Sequence, residues 1–195
     1  MIHKNPKVGV LNGLWANAHG MGGVIPIQTF YYPSPNLFEL KLTGMQGDVM
    51  KESMNVAKTL AWNLTSSKNK KHLFDKKNNE KGLHIHCPEG AVPKDGPSAG
   101  TAITVTIYSL INNKKIKNDI AITGEINLQG MVTEIGGLEL KILGGIRAGV
   151  KTFIYPESNK KDFDKFVEKY PSIDLSNITF HHVSNIEEVL KLVFI

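Results

Sequence analysis

Cysteine is almost absent from this 195-residue sequence, in which Cys87 is the one example. A single cysteine excludes a disulfide bond within the chain and fits a reducing compartment. Two other patterns are missing: a run of about 18 apolar residues that could span a membrane, and the basic and then apolar start of a signal peptide. These absences favour a soluble intracellular protein and argue against the disulfide-rich secreted and membrane-spanning classes.

Charge of one sign does not dominate the chain. The 23 lysine and arginine residues exceed the 18 aspartate and glutamate residues, which gives a net charge of +5. The densest basic stretch, Lys68 to Lys77, has polar neighbours and no recognised nucleic-acid motif. We interpret residues 66–81 as an exposed loop or frayed helix end, and we expect no nucleic-acid partner. The sequence also lacks G-x-x-x-x-G-K-[ST], which excludes ATP binding through a P-loop.

The chain does contain enough apolar sequence for a core, since 41% of its residues are hydrophobic. Its length fits one domain, residues 1–195. Residues 8–15 and 24–32 predict the strands of a hairpin, and residues 48–65 predict a helix with Asp48 as its N-cap. From residue 119 to residue 192, predicted strands and helices alternate. This alternation indicates an α/β fold with some α+β character, in which mixed sheets are flanked by helices.

The most informative stretch runs from Pro93 to Gly100 and reads Pro-Lys-Asp-Gly-Pro-Ser-Ala-Gly. Gly96 and Pro97 predict a turn, so that Ser98 lies at or beside the start of a helix over residues 99–111. A hydroxyl at this place is surrounded by unpaired backbone N–H groups, which is the geometry of an oxyanion hole. The simpler interpretation is a serine that caps the helix.

A serine hydroxyl becomes a nucleophile only when a neighbouring base accepts its proton. Lys141 is one candidate base, because it lies among apolar residues after a Gly-Gly turn, where desolvation lowers the pKa of a lysine. Otherwise it is a surface lysine of an amphipathic helix. His84 or His86, backed by Asp95, is the other candidate. The two histidines share one strand face, an arrangement that suggests a metal site. However, no third ligand has suitable spacing in the sequence. Cys87 closes the same strand and is interpreted as a small buried residue.

The stretch around Ser98 resembles, residue for residue, the nucleophile loop of the Lon protease family in the form found in its ATP-dependent members. Thr123 to Gly130 begins Thr-Gly-Glu-Ile and is similar to a strand and turn of that family. Ile135 to Lys141, which reads Ile-Gly-Gly-Leu-Glu-Leu-Lys, resembles its lysine segment. Residues 42–53 are similar to its first long helix and the approach to that helix. The likeness runs in order from about Val8 to Leu192.

This resemblance implies a serine endopeptidase, built as a single Lon-type proteolytic domain. Ser98 is then the nucleophile and Lys141 the general base of a Ser-Lys dyad. Thr123 resembles the family threonine that helps to hold the lysine, and Asp95 shapes the loop. The implied substrates are unfolded or damaged polypeptides, which are cleaved through an acyl-enzyme. No metal ion takes part.

The sequence departs from the family pattern at three places. Gln129 stands where many relatives have arginine, and Gln46 stands where they often have leucine. The glycine-rich loop from Asn17 to Gly23 is longer than its family counterpart by about two residues, judged by motif spacing. We expect the departures at Gln129 and Gln46 to alter neighbouring contacts or subunit packing more than the dyad, and we assign no role to the loop.

The resemblance also implies partners. Family members carry an AAA+ ATPase module, which uses ATP and Mg²⁺, and assemble as six-membered rings in the cytoplasm or the mitochondrial matrix. Because the P-loop motif is missing here, we expect no cofactor in this domain and coupling to a separate module. The alternative is a non-catalytic binding or scaffold domain of the same fold.

Overall fold

A computed structural model describes residues 1–44, 47–88 and 96–195 of the chain. Within these ranges the chain forms eleven strands and six α-helices, and the predicted α/β class is confirmed. The strands are β1 (Lys7–Val8), β2 (Val10–Ala16), β3 (Gly22–Pro33), β4 (Leu40–Thr43), β5 (Lys81–His86), β6 (Lys115–Ile116), β7 (Ile120–Ile122), β8 (Glu125–Ile126), β9 (Val132–Thr133), β10 (Thr152–Pro156) and β11 (Thr179–Val183). The α-helices are α1 (Asp48–Leu64), α2 (Ser67–Phe74), α3 (Gly100–Asn112), α4 (Leu138–Ala148), α5 (Lys160–Lys169) and α6 (Ile186–Val193).

Seven strands form one mixed sheet in the order β11-β10-β7-β2-β3-β5-β4. Its β11-β10-β7-β2 half is parallel throughout, and β2 turns back through the predicted hairpin to pair antiparallel with β3. Strand β5 pairs antiparallel with β3 and parallel with β4. The carboxyl ends of β2, β7 and β10 therefore meet at one edge of the sheet. In open α/β sheets this is the edge at which ligands bind.

Side chains alternate between the two faces of the sheet and divide the apolar core into two layers. Ile120 and Ile122 of β7 lie in the layer beneath α1, α3 and α6, whereas Ala121 between them lies in the layer beneath α4 and α5. Strand β10 alternates in the same way, since Ile154 belongs to the first layer and Phe153 to the second. The sheet thus separates α3, which follows Ser98, from α4, which carries Lys141.

The first two helices differ from the expectations. The N-cap of α1 is Gly47, so the prediction that Asp48 caps this helix is wrong; Asp48 is its first residue, where a carboxylate still interacts favourably with the helix dipole. Residues 67–74 form a separate helix rather than the predicted exposed loop or frayed helix end. The Ser66 side chain accepts a hydrogen bond from the Asn69 amide, and Leu73 is buried in the core. No helix in the described part of the chain has the length and apolar character needed to cross a membrane.

Candidate active site

A cleft of about 510 Å³ opens at the carboxyl edge of β2 and β7. It brings together residues that are far apart in the sequence. The cleft is lined by Leu14 to Asn17, Ile25, Met50, Gly96 to Ala99, Glu125, Glu134 to Gly137, Leu140 and Lys141. Both Ser98 and Lys141 therefore line the same cleft.

Ser98 lies in a short 3-10 turn, Pro97–Ala99, that leads directly into α3. Gly96 before it has φ 154°, a backbone angle that glycine adopts far more readily than other residues, and Pro97 fixes the next φ. In the described part of the chain neither this turn nor α3 receives a side-chain cap. The interpretation of Ser98 as a capping serine is thus not supported, and its half-buried side chain lines the cleft.

Two backbone hydrogen bonds fasten the Ser98 turn to the segment after β7. The Gly124 amide donates to the Ser98 carbonyl oxygen at 2.8 Å, and the Thr101 amide donates to the Gly124 carbonyl oxygen at 3.1 Å. The Thr101 hydroxyl adds a bond to the Glu125 carbonyl oxygen at 3.3 Å. The small residues predicted after Ser98 permit this approach, since a Cβ atom at Gly100 would lie 2.9 Å from the Ile126 side chain.

Lys141 is the fourth residue of α4, at the end of its first turn, and is 4% exposed. Its Nζ donates a hydrogen bond of 3.1 Å to the Thr123 hydroxyl, which is buried as well. Removal from water disfavours the charged ammonium, and this burial lowers the pKa of Lys141 from 10.5 to about 8. No salt bridge to Lys141 forms among the described residues. At neutral pH a lysine with this pKa is neutral in roughly one molecule in ten.

Thr123 and Gly124 connect the two halves of the site. The Thr123 side chain contacts Lys141, while the next residue, Gly124, holds the Ser98 backbone. Thr123 itself is fixed by its amide, which donates to the Ile154 carbonyl oxygen of β10 at 3.1 Å. The end of β7 is therefore the element from which both Ser98 and Lys141 are positioned.

The start of α4 depends on Gly137, which has φ 70°. A Cβ atom there would lie 2.8 Å from the Ala16 Cβ at the end of β2. The Lys141 amide donates to the Gly137 carbonyl oxygen at 3.0 Å, which is the first turn of the helix. Glycine at this position thus lets α4 begin against β2 and direct Lys141 into the cleft.

The longer loop between β2 and β3 supports the same helix. The Asn17 carboxamide oxygen accepts hydrogen bonds from the His19 and Met21 amides, each at 3.0 Å, which closes the loop on itself. Arg147 of α4 donates to the Gly22 carbonyl oxygen at 3.1 Å. The loop therefore contacts the helix that carries Lys141, and Asn17 lines the cleft.

The two histidines are not part of this cleft. His84 and His86 lie on the outer face of β5, where the Thr43 hydroxyl is 2.9 Å from His84 Nε2 and 2.6 Å from His86 Nδ1. Burial and the neighbouring positive charge of Lys41 lower the pKa of His84. Among the described residues, no group of three or more His, Cys, Asp or Glu side chains could hold a metal ion. Cys87 is fully buried in the core beneath α1 and α3.

Two predicted features lie outside the described residues, namely Asp95 and Gln46. Gln129 is exposed in the turn between β8 and β9. Glu125 and Glu134, which also line the cleft, were not predicted as site residues from the sequence. Glu125 directly follows Gly124, within the Thr-Gly-Glu-Ile motif, and Glu134 directly precedes the lysine segment that begins at Ile135. This position beside two recognised motifs was the available signal.

Comparison with known proteins extends over the whole chain. A family model described as the Lon protease (S16) C-terminal proteolytic domain matches residues 1–195. The Lon protease of Fusobacterium nucleatum is 43% identical over 190 residues, which cover 97% of this chain and 23% of that protein. The Lon protease of Borrelia duttonii is 42% identical over 196 residues, covering 99% of this chain and 22% of that protein.

A Lon protease homolog of Acanthamoeba polyphaga mimivirus is 40% identical over 195 residues, which cover 97% of this chain and 19% of that protein. The chain thus spans about a fifth of the length of these curated relatives. The family model covers all of the residues that line the cleft.

Proposed function

Because the chain belongs to the family of Lon protease C-terminal proteolytic domains, we propose that it is a serine endopeptidase in which Ser98 is the nucleophile and Lys141 the general base. One observation carries this proposal: a buried lysine with a pKa of about 8 shares a cleft with a serine at the start of a helix. Burial of a lysine without a carboxylate partner destabilises the fold, so it needs a compensating role.

In the proposed reaction, the Ser98 Oγ attacks the carbonyl carbon of a substrate peptide bond while the neutral Lys141 Nζ accepts the hydroxyl proton. Backbone N–H groups at the Ser98 turn stabilise the tetrahedral oxyanion. The C–N bond then breaks, and the leaving amine takes the proton from Lys141. The product is an acyl-enzyme ester on Ser98 and a free amine.

Hydrolysis of the ester uses the same lysine. Lys141 accepts a proton from a water molecule, whose oxygen attacks the ester carbonyl carbon. Collapse of the second tetrahedral intermediate breaks the bond to Ser98 Oγ, which regains a proton from Lys141. The acid product leaves, and both side chains return to their starting states.

Thr123 acts on the lysine rather than on the substrate. Its hydroxyl accepts a hydrogen bond from Nζ, which holds the amine within the cleft whatever its protonation state. The walls supply mostly apolar side chains, including Leu14, Trp15 and Leu140, which fit an extended polypeptide better than a small polar ligand. These walls support unfolded polypeptide as the substrate.

Coupling to an AAA+ ATPase module, with ATP and Mg²⁺, belongs to the same proposal, as does assembly into a six-membered ring. The curated relatives are several times longer than the region they share with this chain. This chain has no P-loop sequence that would hold the nucleotide. We therefore assign no step of the peptide cleavage to ATP.

An unfolded substrate such as fluorescein-labelled casein tests the proposal directly. The chain is incubated with it without ATP, alongside Ser98→Ala and Lys141→Met. We expect cleavage by the wild-type chain and none by either variant. Absence of Ser98-dependent cleavage, together with nucleic-acid binding that weakens as salt rises, would support the scaffold alternative instead.

A further inference from the structure

Asn159 is a fully buried polar residue outside the cleft. It follows β10 at the start of α5, where an asparagine commonly caps the helix with its side chain. In the described chain its side chain makes no such cap. The carboxamide of Asn159 is therefore directed to another part of the molecule.

The partner of this carboxamide is the backbone of Ile135, 24 residues earlier. The Ile135 amide donates to Asn159 Oδ1 at 3.0 Å, and Asn159 Nδ2 donates to the Ile135 carbonyl oxygen at 2.8 Å. Ile135 lies after the end of β9 and before α4, and no strand in the described part of the chain pairs with it. Asn159 thus satisfies both backbone groups of a residue that the sheet leaves unpaired.

The orientation of the carboxamide is fixed by a third bond. Asn159 Nδ2 also donates to the Asp162 carboxylate at 2.8 Å, and a carboxylate can only accept. The amide nitrogen must therefore face Asp162, which leaves Oδ1 to receive the Ile135 amide. Each polar atom of Asn159 is used, and a flipped carboxamide would lose these interactions.

The residue held in this way begins the wall beside Lys141. Ile135, Gly136 and Gly137 all line the cleft, and Gly137 is the point from which α4 begins. The Lys141 amide bonds to the Gly137 carbonyl oxygen. Displacement of Ile135 would therefore move the start of α4 and admit water to Lys141.

We propose that Asn159 is a positioning residue that places Lys141 in the cleft by clamping the Ile135 backbone. The effect on catalysis rests on the proposed function, whereas the placement of Lys141 does not. Asn159 touches neither the cleft nor the lysine, so its action passes through Ile135 and Gly137.

The first experiment measures placement without any substrate. The pKa of Lys141 is obtained by NMR from the pH dependence of its ¹³Cε resonance, in the wild-type chain and in Asn159→Ala. The other charged groups that line the cleft, Glu125 and Glu134, are unchanged in both proteins. We expect the pKa to rise from about 8 by at least one pH unit as water reaches the amine.

Asn112→Ala is the matched control. Asn112 lies at the end of α3 opposite Ser98 and bonds to Thr65, Asn69 and Tyr108, none of which lines the cleft. This variant also loses side-chain hydrogen bonds, so we expect lower stability with an unchanged Lys141 pKa. Equal Lys141 pKa values in the Asn159 and Asn112 variants would overturn the proposal.

The second experiment measures turnover of a fluorogenic peptide. Misplacement of a catalytic group by about 1 Å costs roughly 100-fold in rate, so we expect kcat of Asn159→Ala to fall about 10- to 100-fold with KM within about twofold. Its pH–rate profile should shift in the same direction as the NMR titration. A fall in kcat no larger than that of Asn112→Ala would contradict the proposal. Absence of turnover in the wild-type chain would reject the proposed function, while the titration would still decide the placement.

Asp162 provides a milder test if Asn159→Ala does not fold. Asp162→Ala removes the bond that orients the carboxamide, whereas Asp162→Asn keeps an oxygen acceptor at the same place. We expect a raised Lys141 pKa and a severalfold loss of kcat for the alanine variant and recovery for the asparagine variant. Identical behaviour of both variants and wild type would count against the clamp.

Discussion

Helices α3 and α4 each bring one proposed catalytic residue to the cleft, but different kinds of contact hold them. Ten of the 13 residues of α3 are buried, so this helix is surrounded by core on nearly every side. Five of the 11 residues of α4 are buried, and Lys141 is one of them. Apolar packing therefore holds α3, and backbone hydrogen bonds with Gly124 fasten the Ser98 turn before it, whereas a few close approaches and polar bonds position Lys141.

This difference affects how each half of the site responds to change. A substitution in α3 disturbs many apolar contacts and lowers the free energy of unfolding before it moves Ser98. A substitution near the start of α4 disturbs few contacts but changes the surroundings of Lys141 directly. Stability and activity should therefore separate between the two helices.

Ser98→Ala tests the proposed nucleophile and should have the largest effect on activity. Without the hydroxyl no acyl-enzyme forms, and we expect cleavage to fall by at least about 1,000-fold. The side chain is half-buried and makes no cap, so the melting temperature should stay close to wild type. Residual cleavage at the wild-type rate would require a different nucleophile.

Lys141→Met should also abolish cleavage, but unlike Ser98→Ala it should raise the stability of the fold near neutral pH. Folding lowers the pKa of Lys141 from 10.5 to about 8, so the folded chain binds its proton less tightly than the unfolded chain. The resulting penalty is fully present below pH 8 and disappears as pH rises towards 10.5. Its size is of the order of 3 kcal/mol.

Denaturant unfolding of both proteins at pH 7 and at pH 10 measures how this contribution to the free energy of unfolding changes with pH. We expect Lys141→Met to be more stable than wild type at pH 7, with the difference shrinking at pH 10. His86→Ala is the control for cleavage, since His86 lies outside the cleft. Full activity in Lys141→Met together with inactivity in His86→Ala would show that the general base is a histidine rather than Lys141.

Gly137→Ala and Thr106→Val together test whether activity responds differently to changes in α4 and in α3. Alanine at Gly137 meets the Ala16 Cβ and a φ of 70°, which costs about 1 to 2 kcal/mol. Valine at Thr106 of α3 removes the partner of the buried Thr29 hydroxyl, with a cost of about 1 to 3 kcal/mol. Their stabilities should be similarly reduced.

Activity should distinguish these two variants. We expect kcat to fall about tenfold or more in Gly137→Ala, because Lys141 moves, and to stay near wild type in Thr106→Val. Steady-state kinetics at a temperature well below both melting points measures the difference. Equal losses of kcat would show that the two helices respond alike.

Among the substitutions that touch the proposed site, Thr123→Val should have the smallest effect on activity. The substitution keeps the shape but removes the hydroxyl that accepts the Lys141 bond, at a net cost of about 1 kcal/mol. We expect a severalfold loss of kcat at constant KM, since the amine loses one restraint but remains buried. Thr123→Ser keeps the acceptor and should retain more activity than Thr123→Val. If the kcat of Thr123→Val equals that of wild type, Thr123 has no role in holding Lys141 for catalysis.

Several parts of the fold could be predicted from local patterns. The hairpin of β2 and β3, the long helix α1 and the alternation after residue 119 follow from apolar periodicity and turn residues, which act over short distances. Helix α2 was missed because its polar composition indicates a loop. Its stability comes from a cap at Ser66 and the buried Leu73, and burial is not visible in a sequence.

The candidate site also contains some residues that could be predicted from local sequence and others that could not. Ser98 and Lys141 could be singled out because each lies in a distinctive local string, and the Gly-Pro and Gly-Gly turns beside them predict where the helices begin. No local string showed that Asn159 clamps Ile135, because the two are 24 residues apart and meet only where β10 and β9 end. The same holds for Glu125 and Glu134, which line the same cleft.

The sequence by itself determined which side chains are available for the proposed chemistry and where the turns beside them lie. Backbone angles at glycine and proline depend on the residues themselves. Tertiary structure alone decided that Lys141 is 4% exposed and hydrogen-bonded to Thr123. A lysine acquires a pKa of about 8 only when neighbouring elements exclude water from it. That exclusion requires α4 to pack on the sheet while the end of β7 meets the Ser98 turn, and such contacts join distant parts of the chain.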